Sequence, residues 1–421
     1  MTIRCVVTAC CIFVPSLGAM AQMSGYMSTA YMHHDNPLYN YENSSDRLSE
    51  SYLELRYERE VAASMLTFGY ISGLMIFNNF TDRNYYEHTV TGTYTKKFLN
   101  ESSARVPTAS EDEAPSDQNG LDDSTDAYLS LGLTAGARHD KEVYKEFDNF
   151  GTGLSISYRF VMNDRLFART SNLFAYRRYA YIPELSNITE ALRLDLGNRS
   201  STMTAYGIRI GGGFKHYVSS IYDTTQFEER RSFNLTNPGK GKGGAALRVP
   251  SSKKLLISPG VNVTYQLSAA VYCSKKWGGT SFDAELTYRY NPTSTTRYLA
   301  QYVNSSILSE DIYNDHFSYQ GPEGRLTYKQ DLPFGITSTW LLELQRKTFG
   351  APAFNLDGEV IGSKRRDLRA GTDLTLSRNV NLSDGASLEI SLLVALLRNQ
   401  SNDTYNDFSS FSIAIALGIG Y

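Results

Sequence analysis

The chain has 421 residues, with 41 Lys or Arg against 44 Asp or Glu, and it holds 30 Tyr but only 2 Trp. A formal net charge of -3 without a basic block argues against a nucleic-acid-binding protein, because phosphate neutralisation needs clustered Lys and Arg. No segment after the first 21 residues contains the roughly 18 consecutive apolar residues of a spanning helix, which excludes a helical membrane protein.

The first 21 residues have the pattern of a secretory signal peptide. Arg4 gives a short positive start, an apolar stretch runs from Cys5 to Leu17, and Ala19-Met20-Ala21 matches the A-x-A cleavage motif. We therefore expect cleavage after Ala21, so that residues 22–421 form the exported protein. A lipoprotein signal ending at Cys10 is the alternative, but it leaves too short an apolar core before its cleavage motif.

Apolar and polar residues alternate with a period of two along most of the exported chain. The alternation is clear at residues 129–134, 154–160 and 282–290, and it is cleanest at residues 411–421. In that last segment the second face carries Gly, Ala and Ser, whereas a soluble sandwich would usually show charges to water there. Segments of about ten residues with this pattern and aromatic ends are typical of transmembrane β-strands.

The pattern predicts an all-β fold, a transmembrane antiparallel β-barrel of about 16 strands connected as an up-and-down meander. Short links then fall on the periplasmic side and long links on the other. The strand at 188–197 has the weakest pattern, but without it the number is odd and the two termini lie on opposite sides. The predicted strands are 25–34, 49–60, 63–77, 85–97, 126–138, 149–160, 165–178, 188–197, 201–217, 256–275, 280–291, 318–330, 335–349, 366–378, 387–400 and 408–421.

Two long polar segments interrupt the pattern. Residues 98–125 are acidic and rich in Ser, Asp and Pro, and the alternation of sides places them in the periplasm as an insertion. This insertion is either a plain solvated loop or a docking segment for a periplasmic partner. The surface loop 219–254 contains a Gly-Lys run but lacks the phosphate-loop pattern. It is either solvated or folded inward to constrict a pore.

The polar face of each clear strand gives the candidates that line the lumen. Their positive and negative charges nearly balance, which indicates cross-strand ion pairs that stiffen the wall; a role in selecting a solute is the alternative. The candidates are Glu54, Arg56, Glu58, Arg159, Arg209, Asp283, Glu285, Arg289, Glu323, Arg325, Lys329, Glu343, Lys347, Arg369, Asp373 and Glu389.

Histidine and cysteine do not form a recognisable catalytic or metal-binding motif. No H-E-x-x-H or G-x-S-x-G pattern occurs, so we expect histidines in solvated loops at the rim, although several have a carboxylate next to them. After removal of the signal, Cys273 is the cysteine that remains, and we interpret it as a small packing residue. The histidines are His33, His34, His88, His139, His216 and His316.

Several short segments resemble an uncharacterised family of Gram-negative outer-membrane barrels. They are Ala137-Arg138 with Tyr144 and Phe147-Asp148-Asn149, Tyr179 to Asn187 with Pro183-Glu184-Leu185, Tyr313-Asn314-Asp315, Tyr319 to Glu323, and Arg398 to Asp403 with the ending through Tyr421. The ending is also similar to barrels that follow tetratricopeptide domains in exporters, and its aromatic last residue resembles the signal read by the barrel-assembly machinery. The resemblance implies architecture and carries no functional residues.

The sequence therefore predicts a porin-like outer-membrane channel for small solutes. Its expected partners are outer-membrane lipid, the barrel-assembly machinery and small solutes, without nucleic acid and with no identified periplasmic partner. Catalytic, cofactor and metal residues are not predicted. The alternatives are a surface-exposed structural or binding protein with a closed pore, and the barrel component of an export system.

Overall fold

The computed structural model describes residues 21–37, 39, 44–61, 64–98, 127–141, 145, 148–163, 165–181, 183, 186–201, 204–218, 263–293, 316–355, 360–383 and 385–421. Short 3-10 turns cover Thr81–Arg83, His316–Ser318, Pro333–Gly335 and Thr404–Asn406. Within these ranges no helix is long and apolar enough to cross a membrane.

Long antiparallel strands make up nearly all of the described chain, and each pairs with its neighbours in sequence. The strands are β1 Ala21–His34, β2 Asp46–Val61, β3 Ser64–Phe77, β4 Tyr85–Phe98, β5 Ala127–Asp140, β6 Asn149–Val161, β7 Leu166–Tyr179, β8 Asn187–Ser201, β9 Thr204–Tyr217, β10 Val263–Trp277, β11 Thr280–Tyr290, β12 Tyr319–Leu332, β13 Ile336–Phe354, β14 Val360–Ser383, β15 Ala386–Ser401 and β16 Phe408–Gly420.

The sheet closes into a barrel because β1 pairs with β16. Their register places Tyr31 opposite Ile415 and His34 opposite Ser412. The seam continues to the last residue, since the backbone N–H and C=O of Gly25 each bond to the backbone of Tyr421 at 2.8 Å. Closure leaves no unpaired edge among the sixteen described strands, which is a condition for a strand-built structure in lipid.

The register divides the side chains into an outer and an inner face. Directly opposed residues share a face, so Ile415 on β16, Tyr31 on β1 and Leu392 on β15 lie on the same side of the wall. This outer face carries large apolar side chains that remain exposed, for example 60% for Ile415 and 64% for Leu133. An apolar surface that encircles the whole barrel is stable against hydrocarbon and not against water, which identifies the strands as membrane-spanning.

The two ends of the barrel differ. One end, called the turn end, carries the start of β1 and the end of β16. It also carries tight connections such as Gly278-Gly279 and Pro333–Gly335. Gly278 has φ +54°, a left-handed conformation that glycine adopts without a steric cost. The opposite end, called the loop end, carries the connections between β1 and β2, β9 and β10, and β11 and β12.

The predicted closed antiparallel meander of sixteen strands is confirmed, including the weakest segment, which is β8. Some predicted boundaries were wrong. Arg199 and Ser200, which fall between the predicted strands 188–197 and 201–217, lie inside β8, and β14 runs for 24 residues, well beyond the predicted 366–378. Both errors have one cause: polar residues continue a strand near or beyond the edge of the hydrocarbon, where the environment no longer imposes alternation.

Several predicted features lie outside the described residues. These are the first part of the strand predicted at 256–275, the surface loop 219–254, and the insertion 98–125 apart from Phe98, which is the last residue of β4. The described strands show only that the insertion connects β4 to β5 at the turn end.

Cys273 allows the two faces to be tested by spin labelling. It lies on the outer face of β10, opposite Ala284, and its side chain is exposed, so the structure does not show the small packing residue that the sequence predicted. Ser268 lies on the inner face of the same strand, opposite Arg289. In membranes, a label at Cys273 should be more accessible to dissolved oxygen than to a polar nickel chelate. A label at Ser268→Cys in a Cys273→Ser background should show the reverse order, and the same order at both sites would contradict the assignment of faces.

Candidate functional site: the barrel lumen

The inner face holds every charged residue that the sequence nominated for the lumen. Register and parity place Glu54, Arg56 and Glu58 on β2, Arg159 on β6, Arg209 on β9, Asp283, Glu285 and Arg289 on β11, Glu323, Arg325 and Lys329 on β12, Glu343 and Lys347 on β13, Arg369 and Asp373 on β14, and Glu389 on β15. Whether these residues contact a solute stays a prediction.

Arg209 is the centre of an ion-pair network. Its Nε donates to Asp195 at 2.5 Å, and its Nη1 donates to Glu285 at 2.5 Å across the intervening strand β10. Arg193 donates to the other oxygen of Asp195 at 2.9 Å, and the hydroxyl of Thr287 donates to Glu285 at 2.9 Å. One guanidinium group therefore ties β8 and β9 to β11, because its planar donors reach two carboxylates.

Further ion pairs continue the network around the wall. Arg289 lies 3.0 Å from Glu323, whose carboxylate also accepts the hydroxyl proton of Tyr319 at 2.5 Å. Arg325 lies 3.6 Å from Glu343 on the next strand. These contacts are the cross-strand pairs that the balanced charges indicate, and they connect β11 to β13.

The acidic residues near the β1–β16 seam bind differently. Glu54 accepts from the Tyr52 hydroxyl at 2.7 Å on its own strand, and Glu389 accepts from Tyr26 at 3.0 Å. Arg56 pairs with Glu58 at 2.5 Å, also within one strand. The tyrosine hydroxyls satisfy Glu54 and Glu389 without neutralising them, so this part of the wall keeps a negative charge.

A set of basic residues on β6 to β9 was missed by the sequence analysis. The inner faces of these strands carry Arg159, Arg169, Arg177, Arg193, Arg199, Arg209 and Lys215, with Asp195 as the carboxylate among them. Only Arg159 and Arg209 were candidates, because β7 and β8 do not alternate cleanly and polar residues such as Asn172 and Glu190 interrupt their outer face. Counting every second residue from the confirmed strand ends would have found the others.

The inner-face charges are segregated around the ring. In the closed order of sixteen strands, β7 and β8 lie opposite β15 and β16. The described strands β15, β16, β1 and β2 carry Glu50, Glu54, Glu58, Glu60 and Glu389 inward, with Arg56 as their arginine. Charges that nearly balance in total therefore form a basic wall on β6–β9 and an acidic wall on β15–β2.

Aromatic rings on the inner face lie against the wall. A Cβ at Gly197 would sit 2.7 Å from the Tyr272 hydroxyl, and one at Gly207 would sit 2.5 Å from it, so this ring covers two glycines that face each other on β8 and β9. Tyr26 covers Gly418 in the same way. Glycine gives each ring the space to lie flat, which keeps it out of the lumen.

A cavity of about 890 Å³ lies against β11 to β16, and Glu285, Arg325 and Glu343 belong to its wall.

The histidines lie at the loop end, as the sequence predicts, but His34 is not solvated. It is only 4% exposed, its Nδ1 accepts the backbone N–H of Asn36 at 3.1 Å, and its Nε2 lies 3.2 Å from the Tyr39 hydroxyl. Both ring nitrogens are thus engaged in packing the rim. No cluster of three or more His, Cys, Asp or Glu able to hold a metal occurs in the part of the chain that the structure describes.

Comparison with known proteins gives likenesses of structure alone. No protein-family model matches the chain. No curated protein matches it either. Outer membrane protein opdK from Pseudomonas aeruginosa aligns with a TM-score of 0.44 and 11% identity, covering 95% of this chain and 99% of that one. OprD from the same organism aligns with a TM-score of 0.41 and 12% identity over 95% of this chain and 93% of its own.

A third solved structure, OccK10 (OpdN) from Pseudomonas aeruginosa, aligns with a TM-score of 0.41 and 12% identity, covering 96% of this chain and 99% of that one. The barrel assignment itself depends on the strand pairing of this chain. The similarity of its ending to tetratricopeptide-linked exporters stays a prediction.

Proposed function

We propose that the chain loses residues 1–21 on export and forms an outer-membrane channel through which small solutes diffuse. The observation that carries this proposal is the contrast between the two faces of one closed wall of sixteen strands: apolar outside and lined with charged residues inside. Barrels of this strand number enclose an aqueous channel unless a segment fills it. Charged inner residues favour water in that interior.

The segregated charges suggest which solutes pass most easily. A basic wall opposite an acidic wall produces a field across the lumen, and this field orients a solute that carries both a cationic and an anionic group. This field stabilises a simple ion less, because the two walls favour ions of opposite sign. The channel is therefore proposed to discriminate weakly between cations and anions and to favour small dipolar or zwitterionic solutes.

The loop 219–254, between β9 and β10 at the loop end, is proposed to set the pore size. It begins immediately beyond the basic wall, whose last strand is β9. A loop of this length is long enough to fold into the lumen, and the tight connections at the turn end are not.

Planar-bilayer recording tests the proposal. Purified protein should give a steady conductance with weak ion selectivity, and deletion of residues 237–244 should raise that conductance because it shortens the constricting loop. Heat-modifiable migration in gels confirms that each protein is folded. Silence of both folded proteins would reject the channel and favour a closed, surface-exposed binding protein. Conduction only after the deletion would indicate a gated barrel and make a periplasmic export partner the next object of search.

A further inference from the structure

The outer face of β13, β14 and β15 changes from leucine to arginine at the loop end. On β13 the apolar series ends at Leu344 and is followed on the same face by Arg346. On β14 Leu368 is followed by Arg366, and on β15 Leu396 is followed by Arg398. The first polar outer-face residue above the apolar surface is thus arginine on three consecutive strands.

These arginines are neighbours in the register. Arg346 lies opposite Leu368, and Arg398 lies opposite Ala370, two residues further along the outer face of β14. Adjacent strands are about 4.8 Å apart and each residue adds about 3.3 Å along a strand, so the three Cα positions spread over roughly 10 Å across the strands and roughly 13 Å along them. Lys364 continues the outer face above Arg366. All four side chains are exposed.

The cluster holds four cations, and one of them has a carboxylate partner. Arg398 pairs with Asp407 at 2.7 Å, and both side chains remain more than 40% exposed, so this ion pair offsets one of the four positive charges. Near the loop ends of other strands the exposed outer-face residues include Tyr31, Tyr86, Phe150, Tyr265 and Tyr290, while Arg47 and Arg178 stand singly on β2 and β7. The cluster on β13–β15 therefore differs from the loop ends of the other described strands.

We infer that this cluster, Arg346, Lys364, Arg366 and Arg398, binds the phosphate groups of a phosphorylated glycolipid in the outer leaflet. The inference rests on the proposed outer-membrane location. Guanidinium groups form bidentate, charge-assisted bonds to phosphate, and here they stand at the boundary where a lipid headgroup begins. The acyl chains of the same molecule would lie against Leu344, Leu368 and Leu396.

The position at the loop end determines the class of lipid. In the proposed topology the turn end faces the periplasm, so this cluster faces the outer leaflet, where phosphorylated saccharolipids replace phospholipids. A lipid with several acyl chains and more than one phosphate matches a basic surface that spans three strands. A single phospholipid headgroup would engage at most part of it.

Native mass spectrometry of the detergent-solubilised barrel, titrated with purified lipid A, tests the inference. The triple variant Arg346→Gln/Arg366→Gln/Arg398→Gln should bind lipid A about tenfold or more weakly than the intact protein, because each arginine loses charge-assisted bonds. The control is Arg378→Gln, which removes an exposed arginine from the same face of β14 at the turn end and should bind normally. If the triple variant folds poorly, Arg398→Gln alone serves as a milder test. It should weaken lipid A binding by a smaller factor.

Two further probes separate the outcomes. Dephosphorylated lipid A should bind as weakly to the intact protein as lipid A does to the triple variant. Equal lipid A binding by the intact and triple-variant proteins would overturn the inference, and phosphatidylglycerol binding as tight as that of lipid A would overturn the assignment to a glycolipid. Bilayer conductance is measured on the same samples and should not change in the triple variant. Lipid A binding without conductance would reject the channel while the lipid site stands.

Discussion

Ile415→Lys is expected to destabilise the folded barrel by roughly 2 to 4 kcal/mol, whereas Ala416→Lys should cost clearly less. The two residues are adjacent on β16 but point to opposite faces, and Ile415 is 60% exposed on the apolar outer side. A lysine at 415 loses water without gaining a partner. A lysine at 416 enters a face of small residues, diagonal to Glu389 across the β15–β16 pair, where water and a carboxylate are both available.

The free energy of unfolding is measured by reversible unfolding in urea with lipid bilayers present. Heat-modifiable migration in gels reports the folded fraction. The matched neutral substitutions Ile415→Gln and Ala416→Gln serve as controls, because they change polarity and volume without adding charge. An equal loss of stability in both lysine variants would show that the register of β16, or the membrane around it, is assigned wrongly.

The strand series could be predicted because a membrane imposes its own pattern on the sequence. Residues 411–421 alternate without a break, since each outer position contacts hydrocarbon and each inner position lies near the lumen. Where hydrocarbon ends, the constraint ends as well. The extensions of β14 beyond Arg366 and Arg378 are held by backbone pairing with β13 and β15, which single-sequence alternation does not show.

The charged residues of the inner face could be predicted only in part from the sequence, and their arrangement could not. The charged candidates were identified from alternation, yet their nearly equal signs indicated only a stiffened wall. Segregation into a basic and an acidic wall depends on which strands face each other, and this follows from closure of β1 on β16. Strands whose outer face carries polar residues, such as β7 with Asn172 and β8 with Glu190, concealed the remaining basic residues.

Arg209→Ala is expected to lower the free energy of unfolding by about 2 kcal/mol, because charged hydrogen bonds to two carboxylates are lost together. The side chains of Arg209, Asp195 and Glu285 are 23%, 6% and 35% exposed, so lumen water screens part of the effect. The variant also leaves Glu285 without its arginine partner in the lumen, while Asp195 keeps its contact with Arg193. Its reversal potential should therefore shift towards cation preference.

Lys329→Ala separates the structural role of Arg209 from its charge. Lys329 is an exposed inner-face cation on β12, and its removal should shift the reversal potential in the same direction while changing stability by less than about 0.5 kcal/mol. A double-mutant cycle of Arg209→Ala with Glu285→Ala should give a coupling energy of about 1 kcal/mol or more, since the two side chains are in contact. Two results together would contradict this role: additive effects of Arg209→Ala and Glu285→Ala, and an equal loss of stability in Arg209→Ala and Lys329→Ala. They would mean that the network does not hold β8, β9 and β11 together. In that case the basic wall would act through its charge alone.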